Sequence, residues 1–391
     1  MQFARRTDEL KSEGAYHVLA KAQQLEAQGH TIVHFEIGQP DIETYENVRQ
    51  AGIRAIESGQ TRYTAPAGMP ALRAAIAEDA GTRRGISFLP QQVIVSPGAK
   101  PNLFFPTLAL VEPGDEVLYP DPGFPTYRAM ILVAGGKPVP YPLIEEDDFA
   151  PDLEYLRRAM SERSRLIILN SPSNPTGGVL SSTALEAIAE LALAHNCWVM
   201  SDEIYSRLHY LEQAPASIVT LPGMAERTIV VDGFSKTYAM TGWRLGYGIM
   251  PVELAQKVDL LVTHSTGSTA QFTQYAGQEA LRGPQEQIEE MLIQYRQRRD
   301  RMVAGLNSLR GVQCQMPQGA FYAFPNIKAA GISAERLTTM ILEQAGVALL
   351  PGTAFGSQGE GFLRLSYAAS MEQIEQGLER LTAFFSALNF E

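Results

Sequence analysis

The sequence predicts an α/β fold: a mostly parallel, seven-stranded-type sheet with covering helices, joined to a smaller α+β domain. Three observations carry that expectation. Short runs at 93–96, 116–119, 166–169, 198–200 and 228–231 are apolar or nearly so throughout, the pattern of strands buried on both faces of a parallel sheet. Stretches with helical apolar spacing, 71–83 and 185–195, fall between them, and alternation of strand with helix is the signature of a sheet wrapped by helices. From about Pro284 the texture changes. A long helix rich in Arg, Gln and Glu is expected over 285–309, then short strands near Val312 and Phe321 and helices near Glu335 and Met371. The division predicted is a large domain over 46–283 and a small one made of 1–45 with 284–391. No internal repeat, low-complexity tract or long linker interrupts it.

Composition excludes several classes. At 391 residues, 45% hydrophobic and 19% charged, the chain has the make-up of a soluble globular protein with room for two domains. A net charge of −11 argues against nucleic acid or an anionic membrane as partner, because both demand a basic patch. No apolar run approaches the ~20 residues that span a bilayer, and the first residues lead into no signal core. With only two cysteines, Cys197 and Cys314, a cytoplasmic location is expected. The six histidines form no metal-ligand spacing, so no metal is expected, and neither a GxGxxG turn nor a P-loop is present.

The chemistry-bearing residues cluster in motifs. Lys236 sits in Gly233-Phe234-Ser235-Lys236-Thr237, followed by Gly242-Trp243-Arg244-Leu245-Gly246. An isolated lysine is usually a solvated surface charge; one beside a hydroxyl and an arginine suits a phosphorylated aldehyde, held by the amine as a Schiff base while Ser235 and Arg244 take the phosphate. Asn174, in Ser171-Pro172-Ser173-Asn174-Pro175-Thr176-Gly177-Gly178, follows an apolar strand, and Asp202 and Tyr205 close another, so all three fall at carboxyl ends of strands, where open α/β sheets bind ligands. Asp202 suits a ring nitrogen and Tyr205 a ring oxygen. The strand at 93–96 runs through Pro97-Gly98-Ala99-Lys100 into a helix whose free N–H groups can meet an anion, with Gly98 permitting close approach.

With these motifs in order, from Ile37-Gly38-Gln39-Pro40-Asp41 to Phe362-Leu363-Arg364-Leu365-Ser366-Tyr367, the chain resembles a pyridoxal 5'-phosphate enzyme of aspartate aminotransferase fold, among the class I and II aminotransferases. The resemblance implies that Lys236 carries the cofactor, that Asp202 pairs with the pyridinium nitrogen, and that Asn174 and Tyr205 bind the ring hydroxyl. It implies further that Gly98, Ala99, Lys100, Ser235 and Arg244 form the phosphate cup, that Phe124 stacks on the ring, and that Gly38, Asn174 and Arg364 bind substrate, Arg364 gripping the α-carboxylate. Tyr63 matches a tyrosine donated across a homodimer. A pyridoxal-phosphate-binding transcription regulator is the alternative from another class; the fold is expected to fill the chain, leaving no room for a helix-turn-helix module.

The reaction expected is transfer of an amino group between an L-amino acid and a 2-oxo acid, with aspartate or glutamate as donor and 2-oxoglutarate as acceptor. In resembling bacterial aspartate enzymes the lysine matched by Lys100 reads a distal carboxylate. Two features pull the other way. Phe124 stands where those enzymes usually carry Trp, and Glu13 and Ala15 occupy a stretch where hydroxyls would be expected, so a donor of the alanine, branched-chain or aromatic type stays open. So do lyase and synthase activities on the same fold. The loop 264–269 is a candidate wall of the substrate pocket or a plain connection between helices.

Overall fold

The structure is a computed structural model and describes residues 4–10 and 14–388. Its centre is an eight-stranded sheet in the spatial order Val93–Ser96, Gly246–Ile249, Thr228–Gly233, Trp198–Asp202, Ser164–Asn170, Glu116–Asp121, Lys137–Ile144 and Ala150–Pro151. The five strands from Thr228–Gly233 to Lys137–Ile144 are mutually parallel. Gly246–Ile249 pairs antiparallel with both neighbours, and the two-residue edge strand Ala150–Pro151 is antiparallel as well. Seven strands of ordinary length plus this short eighth thus stand where a mostly parallel seven-stranded type was expected.

Burial explains why the strand sequences are apolar without alternation. Leu166, Ile168, Met200 and Ile229 pack into one core, while Ile167, Leu169 and Val199 pack into another on the opposite face. Both cores are closed by helices whose ends are written locally. The helix Pro70–Arg84 opens with proline at its first turn, carries Arg83 and Arg84 in its last, and stops at Gly85 with φ 68°. Ser181 caps the helix Ser182–Ala194 by accepting from Ala184 N, and Ser370 with Gln373 forms a capping box on Met371–Ala387.

The short strands outside the central sheet pair in two small sheets, which with a long helix make a smaller unit. Val33–His34 pairs in parallel with Val347–Ala348, and Leu363–Ser366 lies antiparallel between Tyr322–Ala323 and Leu350–Pro351. The long helix expected over 285–309 spans Glu286–Asn307. Near Val312 there is no strand, only an isolated bridge from Gln313 to Asn326; two paired residues leave no periodicity in a sequence. Arg298 of the long helix holds Asp41 at 2.7 Å and so ties the N-terminal segment to this unit.

Behind the carboxyl ends of the central strands lies a buried charged network. Glu203 Oε2 accepts from Arg84 Nη2 at 2.6 Å, and its Oε1 accepts from Ser201 Oγ at 2.8 Å and from Ser217 Oγ. Asp232 Oδ2 accepts from Ser206 Oγ at 3.1 Å and Tyr247 Oη at 3.2 Å, with Arg83 Nη2 at 3.4 Å. Arg84, Glu203 and Asp232 are all buried. Removing one member of such a set strands an opposite charge in low dielectric. Arg84→Met should therefore lower stability by about 3–5 kcal/mol, read as a fall in the urea midpoint; a midpoint equal to wild type would show that the network is energetically idle.

Candidate active site

The central strands deliver the expected residues to one place. Lys236 follows the strand Thr228–Gly233 by three residues, and its Nζ donates to the carbonyl of Gly38 at 2.5 Å. The same Nζ lies 5.5 Å from the ring of Phe321 and 5.9 Å from that of Tyr205. Burial, followed by the positive charges of Arg364, Arg244 and Lys100, pushes the amine down to about 8, with Asp202 opposing. An amine so lowered is neutral far more often near pH 8 than an ordinary lysine, and only the neutral form is a nucleophile or base.

Asp202 ends its strand almost fully buried. Its Oδ2 accepts from Tyr127 Oη at 2.7 Å and its Oδ1 from Ile204 N at 3.3 Å, while burial raises the carboxyl to about 6 despite these bonds. A carboxylate in that state favours a cation beside it. Asn174 is held by its N–H donating to Asn170 Oδ1 at 2.8 Å, and Asn170 Nδ2 donates to the Asp202 carbonyl at 3.0 Å, locking the two strand ends together. The Oδ1 of Asn174 is buried without a protein partner. Tyr205 Oη lies 2.8 Å from Tyr322 Oη.

The expected phosphate end is built by close approach. Gly98 has φ 82°, and a Cβ there would lie 2.2 Å from Arg244 Nη2, so a larger residue would displace the guanidinium. Gly246 is equally confined, with a notional Cβ 2.4 Å from Ala99 N. The turn is fixed from inside: Ser96 Oγ donates to the Gly98 carbonyl and Asn102 Nδ2 to Ser96 Oγ, both at 2.6 Å. Ala99 precedes the helix Lys100–Leu110, whose first N–H groups and positive dipole end share the space with Arg244. Ser235 is buried in the stretch that follows the strand Thr228–Gly233. Arg244 itself adopts φ 53°, with Nη1 donating to the Thr241 carbonyl at 3.0 Å.

At the opposite end Arg364 is buried between aromatic faces, 4.6 Å from the ring of Tyr322 and 5.2 Å from that of Phe355. It donates through Nη2 to the Glu36 carbonyl, and its Nε is buried without a protein acceptor. Gly38 is required sterically, since a Cβ would fall 2.1 Å from Tyr322 Oη. Lys100 Nζ lies 5.1 Å from the centroid of the Phe124 ring. A cleft of about 940 Å³ opens beside Arg244, lined among others by Gln39, Asp41, Thr241 and Phe272, and the 264–269 loop contributes Ser268 and Thr269 to its wall. Tyr63 stands apart, 99% exposed at the surface. Ala15 packs against the cluster of Phe149, Phe324 and Phe355, whereas Glu13 lies outside the described residues. Among the described residues no group of His, Cys, Asp and Glu could hold a metal, and no helix is long and apolar enough to cross a membrane.

These residues fit pyridoxal phosphate. A guanidinium at a helix N-terminus suits a phosphate, a buried carboxylate suits a protonated ring nitrogen, and the unpartnered Oδ1 of Asn174 suits a ring hydroxyl. Three supporting residues were not singled out in the sequence: Tyr127, Asn170 and Tyr322. Tyr127 and Asn170 lie within four residues of expected ones, so proximity in the chain was the available signal; Tyr322 comes from the small unit and left none.

Comparison with known proteins agrees with this geometry. The profile of the family "Aminotransferase class I and II" matches residues 30–381. An aspartate aminotransferase of Pyrococcus horikoshii is 39% identical over 352 residues, 90% of each chain. The solved aspartate aminotransferase of Thermus thermophilus with maleate superposes with a TM-score of 0.93 at 38% identity, covering 98% of this chain and 99% of that one. An alanine aminotransferase from Pyrococcus furiosus gives 0.94 at 31% identity, covering 98% and 100%. The chain therefore belongs to the class I and II aminotransferases, enzymes that transfer amino groups with pyridoxal phosphate.

Proposed function

We propose that the protein transfers the amino group of aspartate or glutamate to a 2-oxo acid, with 2-oxoglutarate as acceptor. The observation that carries the acidic side of this reading is the Lys100 cation facing Phe124, on the helix that opens beside Arg244. Arg364 supplies a second, buried cation at the other end of the site. A dicarboxylate is matched by two cations set apart; a monocarboxylate needs one. Similarity to aspartate aminotransferases supports the same choice. The alanine aminotransferase likeness favours a neutral donor, as does the Phe124 ring, which offers an apolar face where a carboxylate would be hydrated.

The geometry supports the following roles. Pyridoxal phosphate, when bound, supplies a ring that takes up the electron pair left behind as the α-proton departs. Asp202, fixed by Tyr127, holds a proton at the ring nitrogen. Asn174 and Tyr205 orient the ring through its hydroxyl, and Phe124 covers one face. Arg244, Ser235 and the turn Gly98-Ala99-Lys100 hold the phosphate. Arg364 grips the substrate α-carboxylate with two parallel donors, a contact a lysine could not reproduce. Gly38 leaves room for Tyr322 and its carbonyl accepts from Lys236, whose amine attaches the cofactor and then moves the proton from the substrate Cα. We also infer that residues 46–283 form the cofactor-holding unit and 1–45 with 284–391 the smaller one, that the protein is cytoplasmic, and that Tyr63 completes the phosphate site of a partner subunit. The near-complete exposure of Tyr63 supports the last point.

Three outcomes test this reading. Capture of pyridoxal phosphate by the apoenzyme should speed up with rising pH as the Lys236 amine loses its proton and level off above about 8, whereas an unshifted lysine would keep accelerating to ~10.4; Lys236→Ala should abolish borohydride-trapped attachment. In a donor panel followed by half-reaction absorbance, Lys100→Met should weaken aspartate and glutamate by about tenfold or more, the worth of one charged contact, and spare alanine and leucine. A panel in which wild type ignores both acidic donors would overturn the substrate choice. Mixing inactive Lys236→Ala and Tyr63→Phe subunits should restore activity through hybrid dimers that carry one intact site, and no gain on mixing would place Tyr63 within its own chain's site.

A further inference from the structure

Asp121 ends the strand Glu116–Asp121 and is buried, yet its carboxylate reaches out of the central sheet to the smaller unit. Its Oδ2 accepts from Ser357 N at 3.1 Å and Ser357 Oγ at 2.9 Å, and its Oδ1 accepts from Gln358 N at 3.0 Å. The approach is as close as backbone permits: Gly356 has φ 133°, and a Cβ there would lie 2.0 Å from Asp121 Oδ1. Two residues along, Gly123 N donates to the Phe355 carbonyl at 2.8 Å. Phe355 is the ring that backs the Arg364 guanidinium. The same short stretch carries Phe124 into the site and Tyr127 onto Asp202.

We propose that Asp121 is a positioning residue for substrate carboxylate binding: by pinning the 355–358 loop it fixes Arg364 at a set distance from the place of the cofactor ring. The inference rests on Arg364 gripping the α-carboxylate as read above. A carboxylate suits the task because both oxygens only accept, and all three partners donate. Asparagine keeps the shape but turns one acceptor into a donor, which then faces an N–H group. The loop loses its hold while the strand, Phe124 and the phosphate turn stay in place.

The test is steady-state kinetics on the loaded enzyme with a cofactor titration beside it. Asp121→Asn should raise KM for acidic and neutral donors alike, by about ten- to a hundredfold, with kcat within about threefold of wild type and the apparent Kd for pyridoxal phosphate unchanged. Ser357→Ala, which removes one of three donors, should move KM in the same direction by less. In the double variant with Arg364→Leu, Asp121→Asn should add nothing, because its effect passes through that arginine. An unchanged KM in Asp121→Asn and Ser357→Ala proteins that fold and bind cofactor overturns the inference, as does a loss confined to kcat and cofactor affinity. If Arg364→Leu alone leaves KM unchanged, the assignment of Arg364 fails and this inference with it; if Arg364→Leu raises KM and Asp121→Asn does not, only the inference fails.

Discussion

The strand ends that carry Asp202 and Lys236 are braced from behind by Glu203 and Asp232, two buried carboxylates. Glu203 follows Asp202 in the chain, and Asp232 lies four residues before Lys236. Each is tied to the C-terminal turn of Pro70–Arg84, the first through Arg84 and the second through Arg83. Parallel strands end in loops that would otherwise be free to wander, and a site assembled from groups on two such loops tolerates little error of position. Burying two acid–base pairs behind the strand ends costs desolvation, which hydrogen bonds from Ser201, Ser206, Ser217 and Tyr247 offset. What the arrangement secures is position.

In front of that scaffold the charges are mostly of one sign. Three cations, Arg364, Arg244 and Lys100, press on the amine of Lys236, while Asp202 favours its charged form. The protein therefore holds an excess of positive potential along a line that ends at Arg364 on one side and Arg244 on the other. Such a line fits a molecule anionic at both ends, phosphate at one and carboxylate at the other. The depressed lysine and the raised aspartate are two results of the same burial, acting on groups of opposite sign. Burial thus brings the base toward neutrality and readies the carboxyl for a partner cation.

Much of this was legible in the sequence, for physical reasons that differ by element. The parallel strands announced themselves because both faces are covered, as the split of Leu166 and Ile168 from Ile167 and Leu169 shows. The helices expected at 71–83 and 185–195 from their apolar spacing span Pro70–Arg84 and Ser182–Ala194, because that spacing marks the face each one buries. Asp202 and Asn174 stood out because each falls at a strand's carboxyl end, a place where polar residues have work other than packing, and Lys236 because a hydroxyl and an arginine stand near it in the sequence. The strand expected near Val312 failed for the converse reason: the small unit uses pairs of one or two residues, too short for any period. Tyr322 was illegible because its hydroxyl meets Tyr205 across 117 positions of sequence, and no local pattern encodes a contact at that range.

The stretch from Asp121 to Tyr127 carries a constraint on chain length. Asp121 faces the 357–358 backbone, Phe124 faces Lys100, and Tyr127 faces Asp202, each three residues after the last. Surface loops accept insertions because only their ends are anchored. This one is anchored at its start, middle and finish, to the smaller unit, the site and the strand bearing Asp202. One residue gained or lost would throw at least one of the three anchors out of register, so its length is as much a part of the site as its side chains.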